Sequence, residues 1–224
     1  MADPTKYFLT SDPLAEQGVN YLIQKANQSG TDWFRELFNT APRTNYQVAF
    51  NGGTESGNYY VSANYYDHKG LLLNNDFKRY QIRTNTQFRV KNAIRVGQHL
   101  NVAYQTGRGG IGNPGEGTTL LNTYRMPQIV PTRDINGYFG GGYGTGSNAG
   151  SPLAQQERIV DNFNHSVRTI GDIYAEVDLF KYFTAKSLVG ADYNTGRGKN
   201  YGFRNFEATE VNSANSLGES QFTN

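Results

Sequence analysis

Two long stretches of strict alternation, between Tyr80 and Gln105, constrain this chain more than any other feature. From Tyr80 to Val90 every second residue is apolar, aromatic or threonine, and the residues between them are all polar. After a three-residue break the alternation resumes at Ile94, with Gln98 as a polar residue on the apolar phase. A period of two indicates a β-strand whose two faces meet different environments. We therefore predict a hairpin of two strands, each about as long as a membrane-crossing strand, roughly 9–11 residues.

The same alternation predicts two strands before this hairpin and two after it. They cover residues 45–51, 58–67, 167–180 and 183–193. The connections between strands alternate in length. The short ones are 52–57, 91–93 and 181–182, and the longer ones are 68–76, 106–165 and the segment from 194 onward. Outer-membrane barrels show this asymmetry, with tight periplasmic turns and long extracellular loops. The sequence therefore predicts an all-β fold, in which about six antiparallel up-and-down strands form part of a transmembrane β-barrel.

Composition agrees with a barrel better than with a conventional globular core. Hydrophobic residues make up 37% of the chain, yet 13% of its residues are aromatic, with 16 Tyr and 13 Phe. Such a chain is too polar for a large core and too aromatic for disorder. A barrel with a polar lumen, an apolar outer band and aromatic girdles accommodates both properties. A soluble antiparallel sheet packed on one face, as in a sandwich, is the alternative.

The two phases of the strands carry different candidate residues. Aromatic residues near strand ends on the apolar phase are candidates for lipid-facing girdles: Tyr59, Tyr65, Tyr80, Phe88, Tyr104, Phe183 and Tyr193. The polar phase carries the candidates for lumen-facing side chains: Arg79, Arg83, Asn85, Arg89, Arg95, His99, Asp172, Glu176 and Asp178. These charged residues form either a wall that faces substrate or a plug, or a set that compensates its own charges in a wet lumen. We favour charge compensation.

The first 42 residues differ from the strands that follow. Asp12 and Pro13 have the residue types of a helix cap and a first helical position, ahead of apolar residues that include Leu22 and Ile23. Thr31 is the expected cap of a second short helix. We therefore divide the chain into a partly helical lead-in, residues 1–42, and a partial barrel, residues 43–224, with the long extracellular loop at 106–165. Residues 194–224 show no strand pattern.

Catalytic and ligand motifs give no support for an enzyme. The stretch from Gly107 to Gly112 matches G-x-G-x-x-G, but no helical pattern follows it, as a dinucleotide site requires. The three histidines, His68, His99 and His165, are too far apart in sequence for metal-ligand spacing. The chain has no cysteine and a net charge of +2 without any basic run. We therefore expect no catalytic residues, no cofactor, no metal site and no nucleic-acid partner.

Several short motifs occur in an order that resembles the SusC/RagA family of TonB-dependent outer-membrane transporters of Bacteroidetes. The similarity extends from about Thr31 to Tyr193. The motifs are Thr31-Asp32-Trp33, Gly52-Gly53-Thr54 followed by Asn58 to Ser62, Phe77 to Tyr80 with Arg83 and Asn85, Val96-Gly97 with Leu100-Asn101, Asp134 to Tyr138, and Pro152-Leu153-Ala154. Ser151 stands where the family commonly has asparagine.

The resemblance implies a nutrient importer in the outer membrane of a Gram-negative cell. Its expected partners are a SusD-like surface lipoprotein, the TonB complex through a segment outside this chain, an oligosaccharide or peptide substrate, and outer-membrane lipid. Transporters of this kind have about 22 strands. We therefore expect this chain to be a fragment covering the first barrel strands, with residues 1–42 joining a plug to the barrel. A passive porin or structural barrel, and a soluble carbohydrate-binding β-sandwich, are the alternatives.

The assignment of the two faces predicts opposite results for two arginine substitutions in the full-length protein. Ile82→Arg should block membrane assembly, because an arginine at the bilayer midplane costs about 2–4 kcal/mol. Asn85→Arg should assemble normally, because its side chain enters the polar lumen. Recovery of folded protein from outer membranes measures both. Normal assembly of Ile82→Arg together with failure of Asn85→Arg would mean that the faces are reversed.

Overall fold

The main element of the fold is a seven-stranded antiparallel sheet in which each strand pairs with the next in sequence. The computed structural model of the chain describes residues 7–10, 22–91, 93–109, 115, 117–134, 137–142, 145, 147–180, 182–205, 207 and 214–224. A small hairpin of β1 (Tyr7–Thr10) and β2 (Leu22–Lys25) comes first. The strands of the large sheet are β3 (Arg43–Thr54), β4 (Gly57–Lys69), β5 (Asp76–Lys91), β6 (Ile94–Arg108), β7 (Phe163–Leu179), β8 (Phe183–Gly202) and β9 (Ser216–Thr223).

The pairing register runs through the large sheet with one irregularity, a shift between Arg89 and Lys91 in β5. Residues directly opposite each other in an antiparallel ladder share a face. The alternation of β5 is therefore continued by its neighbours on both sides. The three short turns lie at one end of the sheet, here called the turn end. The connections 70–75, 109–162 and 203–215 lie at the other end, here called the loop end.

The predicted all-β, up-and-down sheet is confirmed, and one strand is added to it. The sequence pattern suggested that nothing beyond residue 194 was a strand, which is wrong, because β8 continues to Gly202 and β9 pairs with it. Glycines in these strands have no side chain, so they interrupt the alternation of apolar and polar residues by which a strand is recognised. A Cβ at Gly196 would collide with the ring of Phe222, so the bare backbone of β8 makes room for an aromatic side chain from β9.

Among the residues that the structure describes, three short helices lie outside the sheet: α1 (Trp33–Leu37), α2 (Thr119–Arg125) and α3 (Pro152–Arg158), the last followed by a 3₁₀ turn, Ile159–Asp161. Asp32 caps α1, because its carboxylate accepts a hydrogen bond from the Arg35 amide at 3.1 Å. The predicted cap, Thr31, is therefore wrong by one residue. Thr31 is buried, and its hydroxyl donates to the Val130 carbonyl at 2.7 Å.

The predicted helix at Asp12 lies mostly outside the described residues, since residues 11–21 are not among them. Its last apolar positions, Leu22 and Ile23, belong to strand β2 instead. Four residues of β1 and four of β2 pair in this hairpin, and backbone pairing decides their conformation where the apolar spacing suggested a helix. In the part of the chain that the structure describes, no helix is long and apolar enough to span a bilayer.

The helices and loop-end connections pack around a core of their own. We call this unit, made of residues 27–39, 70–75 and the described part of 117–161, the cap. Its core residues are Trp33, Leu37, Leu72, Met126, Val130, Ala149 and Leu153. Backbone hydrogen bonds join the segments, from the Thr31 amide to the Gln128 carbonyl and from the Leu73 amide to the Leu37 carbonyl. Much of the long predicted loop is therefore packed structure.

A cluster of charged side chains links the loop ends of β4, β5 and β6 to one another and to the cap. The Arg108 guanidinium donates two hydrogen bonds, each 3.1 Å, to the Asp76 carboxylate, and Lys69 lies 3.8 Å from it. Arg108 also donates to the Val160 carbonyl of the cap at 2.8 Å. The hydrogen bond from Arg108 lowers the pKa of the Asp76 carboxyl, although partial burial acts in the opposite direction.

Two neighbouring leucines test whether the cap is a packed unit. Leu72 is 3% exposed in the cap core, whereas Leu71 is 59% exposed. Leu72→Ala should destabilise the cap by about 2–5 kcal/mol, because it removes buried methyl groups and leaves a cavity. Leu71→Ala should have almost no effect. Limited proteolysis of the loop-end segments in the full-length protein measures both, and equal protease resistance of the two variants would contradict the packed cap.

The Asp76 cluster predicts a stability difference that depends on pH. Asp76 titrates at a lower pH when folded than when unfolded, so its contribution is present above the ordinary aspartate pKa of 3.8 and is lost as pH falls below it. Asp76→Asn should loosen the loop ends of β5 and β6 by about 1 kcal/mol at pH 7. The stabilities of the loop ends in wild type and variant should converge as the pH falls below 3.8.

Hydrogen exchange at the ends of β5 and β6, compared at each pH, measures this effect. Glu55→Gln, in the exposed turn between β3 and β4, serves as the charge-matched control. A difference between Asp76→Asn and wild type that stays constant from pH 7 to pH 3 would show that the carboxylate charge is not responsible.

Candidate functional site

The nine polar-phase candidates lie on one face of the sheet, here called the polar face. The register pairs Asn85 with His99 and His99 with Asp172. It likewise pairs Arg89 with Arg95 and Arg95 with Glu176. The structure thus brings the candidates of β6 and β7 together as cross-strand neighbours. Arg79 and Arg83, on β5, lie on the same face two strands away from the carboxylates of β7.

Near the turn end, Arg95 holds two carboxylates of β7. Its guanidinium donates to Asp178 at 2.7 and 2.8 Å and to Glu176 at 3.0 Å. Strand β8 completes the group, since Lys186 lies 3.0 Å from Glu176 and the Thr184 hydroxyl donates to Asp178 at 2.8 Å. Neither β8 residue was among the sequence candidates. A symmetrical register around the short turn at 180–182 would have placed them opposite these acids.

Closer to the loop end, the remaining carboxylates on the polar face of β7 and β8 are also paired. His99 Nδ1 lies 2.8 Å from Asp172, and the His99 ring stacks on Tyr174 with centroids 5.4 Å apart. Arg168 donates to Asp192 at 2.6 and 3.1 Å, and neither of these two residues was a sequence candidate. These pairs are half-exposed, so each adds little stability alone. Together they neutralise this part of the polar face.

A groove opens on the polar face near the loop end. Its cavity of about 430 Å³ has Phe77 and Phe222 among its aromatic lining and Gln105, Asn164 and Ser166 among its polar lining. A neighbouring cavity of about 370 Å³ shares Asn164. Aromatic rings beside amide and hydroxyl groups suit polar, hydrogen-bonding solutes. No sequence signal indicated this groove, because β9 was not recognised and Phe222 is part of it.

The opposite face, here called the apolar face, holds all seven aromatic girdle candidates. Cross-strand pairing aligns four tyrosines in one row near the loop end: Tyr46, Tyr65, Tyr80 and Tyr104. The ring centroids of Tyr65 and Tyr80 are 5.1 Å apart, and those of Tyr80 and Tyr104 are 6.2 Å apart. Tyr46 was not among the candidates. The register pairs it with Tyr65 and so adds it to this row.

Between the tyrosine row and the turn end, the apolar face carries no charged side chain over a wide band. Asp, Glu, Lys and Arg are absent from its positions within residues 48–52, 59–63, 82–90, 94–102, 167–177 and 185–193. Large apolar side chains in this band are nevertheless exposed, such as Ile82 at 57% and Ile173 at 65%. Exposed apolar area of this extent marks a surface that contacts another apolar phase.

Metal chemistry finds no support in the described part of the chain, where no three His, Asp or Glu side chains come together as a possible metal site. The histidines have other contacts. His99 pairs with Asp172, and His165 lies on the apolar face beside Tyr104, whose hydroxyl is 2.7 Å from His165 Nδ1.

Comparisons with known proteins identify relatives of one kind. No family model matches the chain. TonB-dependent receptor P3 of Formosa agariphila is 31% identical over 128 residues, which is 54% of this chain and 12% of the relative. TonB-dependent receptor SusC of Bacteroides thetaiotaomicron is 35% identical over 57 residues, which is 25% of this chain and 6% of the relative.

Comparison with solved structures identifies the same kind of protein as the sequence relatives. The RagAB peptide importer in its closed-closed state matches with a TM-score of 0.66 and 25% identity, covering 85% of this chain and 22% of that chain. The chain therefore spans less than a quarter of each of these three relatives. The sheet, its register and these matches together show that the chain is similar to TonB-dependent receptors of the SusC and RagA kind.

Proposed function

We propose that the chain forms part of the barrel wall of an outer-membrane, TonB-dependent nutrient importer of the SusC type. The observation that carries the proposal is the uncharged, exposed band of the apolar face, bordered by aromatic side chains. A bilayer covers such a band, and aromatic residues collect at its two interfaces. The seven girdle candidates then face lipid, and the nine polar-phase candidates face the lumen.

The height of the band supports this orientation. Phe183 and Tyr193 lie on the apolar phase of β8, ten residues apart. Ten residues of extended strand cover about 33 Å, and a strand tilted by about 40° then spans roughly 25 Å, the height of the apolar band of outer-membrane barrels. The turn end then lies in the periplasm and the loop end outside the cell.

The same geometry argues against a soluble β-sandwich. A sandwich buries one face of each sheet against the other sheet. In the described residues the buried hydrophobic cluster lies in the cap, and the apolar face of the large sheet carries exposed side chains such as Val189 at 68%. The strands β3 and β9 each have one neighbour in the sheet. A closed barrel requires further strands at both edges, and the proposal includes them.

The loop end supplies the surfaces for substrate and partner. The groove beside Phe77 and Phe222 opens there on the lumen side, and we propose that it contacts the imported oligosaccharide or peptide. The cap is a folded surface of that same end. We propose that it meets a SusD-like surface lipoprotein, as the family resemblance implies. The structurally similar RagAB is a peptide importer, which supports import as the activity.

The reading frame around this chain distinguishes an importer from a passive barrel. The proposal predicts an upstream plug domain with a TonB-contacting segment and a SusD-like gene nearby. It also predicts that uptake of the cognate nutrient by cells stops when tonB is deleted. A full-length barrel without a plug, or uptake that is unchanged without TonB, would contradict the importer and favour a passive porin or structural barrel.

Fractionation of cells tests the membrane assignment separately. The full-length protein should be recovered with the outer membrane and should need detergent for extraction, because its apolar band is exposed. Recovery in the soluble fraction without detergent would exclude the barrel and favour the sandwich. The Ile82→Arg and Asn85→Arg variants provide matched controls, since each adds one positive charge to strand β5, on opposite faces.

A further inference from the structure

Charge is distributed unevenly across the polar face. Its carboxylates all belong to β7 and β8, and each has a cationic or histidine neighbour: Asp172, Glu176, Asp178 and Asp192. The polar face of β3, β4 and β5 carries no Asp or Glu but carries four arginines: Arg43, Arg79, Arg83 and Arg89. Charge compensation therefore explains one half of the face and leaves the other half strongly positive.

Two of these arginines line a hollow between β3, β4 and β5. The hollow has a volume of about 190 Å³ and is lined by polar-phase residues of these strands: Asn45, Gln47, Tyr60, Ser62, Asn64, Arg79, Gln81 and Arg83. Arg79 and Arg83 lie on one face of β5 with only Gln81 between them on that face, so their backbones are about 13 Å apart and their long side chains can converge. Among the described residues, neither guanidinium forms an ion pair with a carboxylate.

Polar groups at the hollow have hydrogen-bonding capacity that the described protein atoms do not use. Arg79 Nε and Asn64 Oδ1 are both buried without a partner in the described part of the chain. The ring of Tyr66 lies beside Arg79, with its centroid 5.6 Å from the guanidinium carbon and equally far from that of Arg43. An aromatic face steadies a guanidinium but does not neutralise its charge. The hollow therefore offers donors and positive charge together with an acceptor.

We propose that Arg79 and Arg83 bind a carboxylate group in this hollow. Arginine presents paired donors that match the two oxygens of a carboxylate, and a charge-assisted bond of this kind is stronger than a neutral one. The free acceptor on Asn64 suits an O–H or N–H donor next to the acid group. The hollow is smaller than the roughly 300–1,000 Å³ typical of sites for whole ligands, so it accommodates an acidic group of a larger molecule.

The carboxylate has two possible sources with the same chemistry. One is an acidic solute in the lumen, such as a uronic acid residue of an oligosaccharide or an acidic side chain of a peptide. The other is an Asp or Glu of a polypeptide segment of the receptor itself that occupies the lumen. The inference rests on the proposed function only in requiring that the polar face line a lumen.

Modification of arginine side chains by phenylglyoxal, followed residue by residue by mass spectrometry, tests the site in the full-length receptor in detergent. Rates at Arg79 and Arg83 are measured alone, with glucuronate and with neutral glucose. Arg204, which is exposed, serves as the unprotected reference. The variants are Arg83→Gln and, as control on the same face of β5, Asn85→Gln. Because no transport is measured, a failed uptake experiment leaves this test intact.

Two results support the proposal and identify the source. If the carboxylate belongs to a solute, glucuronate but not glucose slows the reaction of both arginines at least threefold. If it belongs to the receptor, both react at least threefold more slowly than Arg204 without any addition. Arg79 then becomes reactive in Arg83→Gln, because the carboxylate has lost one of its two arginine partners and no longer protects Arg79. In Asn85→Gln both arginines remain, and Arg79 stays protected.

Two other results would overturn the proposal. The first is fast reaction of both arginines with no protection by glucuronate, which would show that the hollow holds no carboxylate. The second is slow reaction of Arg79 in wild type and Arg83→Gln alike, which would show that it is shielded by packing rather than by a bound acid.

Discussion

The continuous antiparallel ladder from β3 to β9 is the interaction on which the rest of this structure depends. Inside a bilayer there is no water to hydrogen-bond an open backbone group, so a crossing strand must be paired along its length. Here β4, β5, β6 and β7 each pair with a neighbour on both sides. The ladder also sorts side chains, since opposite residues share a face. Tyr80 therefore meets Tyr65 on one side and Tyr104 on the other.

The same sorting brings charges together on the polar face, with different results in its two halves. From β6 to β8, acids and bases alternate between adjacent strands, so Arg95 reaches Glu176 and Asp178 across one pairing. From β3 to β5 the ladder brings arginines beside amides, and no acid shares that part of the face. In a narrow cleft with low-dielectric walls, a positive surface of this kind raises the local concentration of anions. Charge on this face is therefore neutralised within the sheet from β6 to β8, whereas from β3 to β5 no carboxylate of the face balances the arginines.

Sequence predicted the strands wherever both phases had side chains with distinct chemistry. Tyr80 to Val90 is such a stretch, and its strand, partner and faces follow from alternation alone. The prediction failed where glycine removes one phase, as in β8 from Gly196 to Gly202, because partner side chains such as Phe222 supply the packing there. It also failed for contacts between distant segments. Lys186 meets Glu176, and Asp192 meets Arg168, through the pairing register, which the pattern of a single strand does not contain.

The cap buries apolar residues that the alternation of the strands does not explain. Trp33, Leu72 and Leu153 come from three separate segments, yet they lie in one buried cluster. A loop as long as 109–162 would be mobile if it were unpacked. Here it is tied to its neighbours by buried side chains and by bonds such as that from the Asn74 side-chain amide to the Gln156 carbonyl at 2.9 Å.

Because the Arg108 side chain joins β6 to both Asp76 and the cap, the loop end and the barrel wall are mechanically connected. Displacement of the cap would therefore also strain the strand ends beside the groove. This connection requires that the cap stay folded, since an unpacked loop would absorb the displacement without transmitting it to the strands.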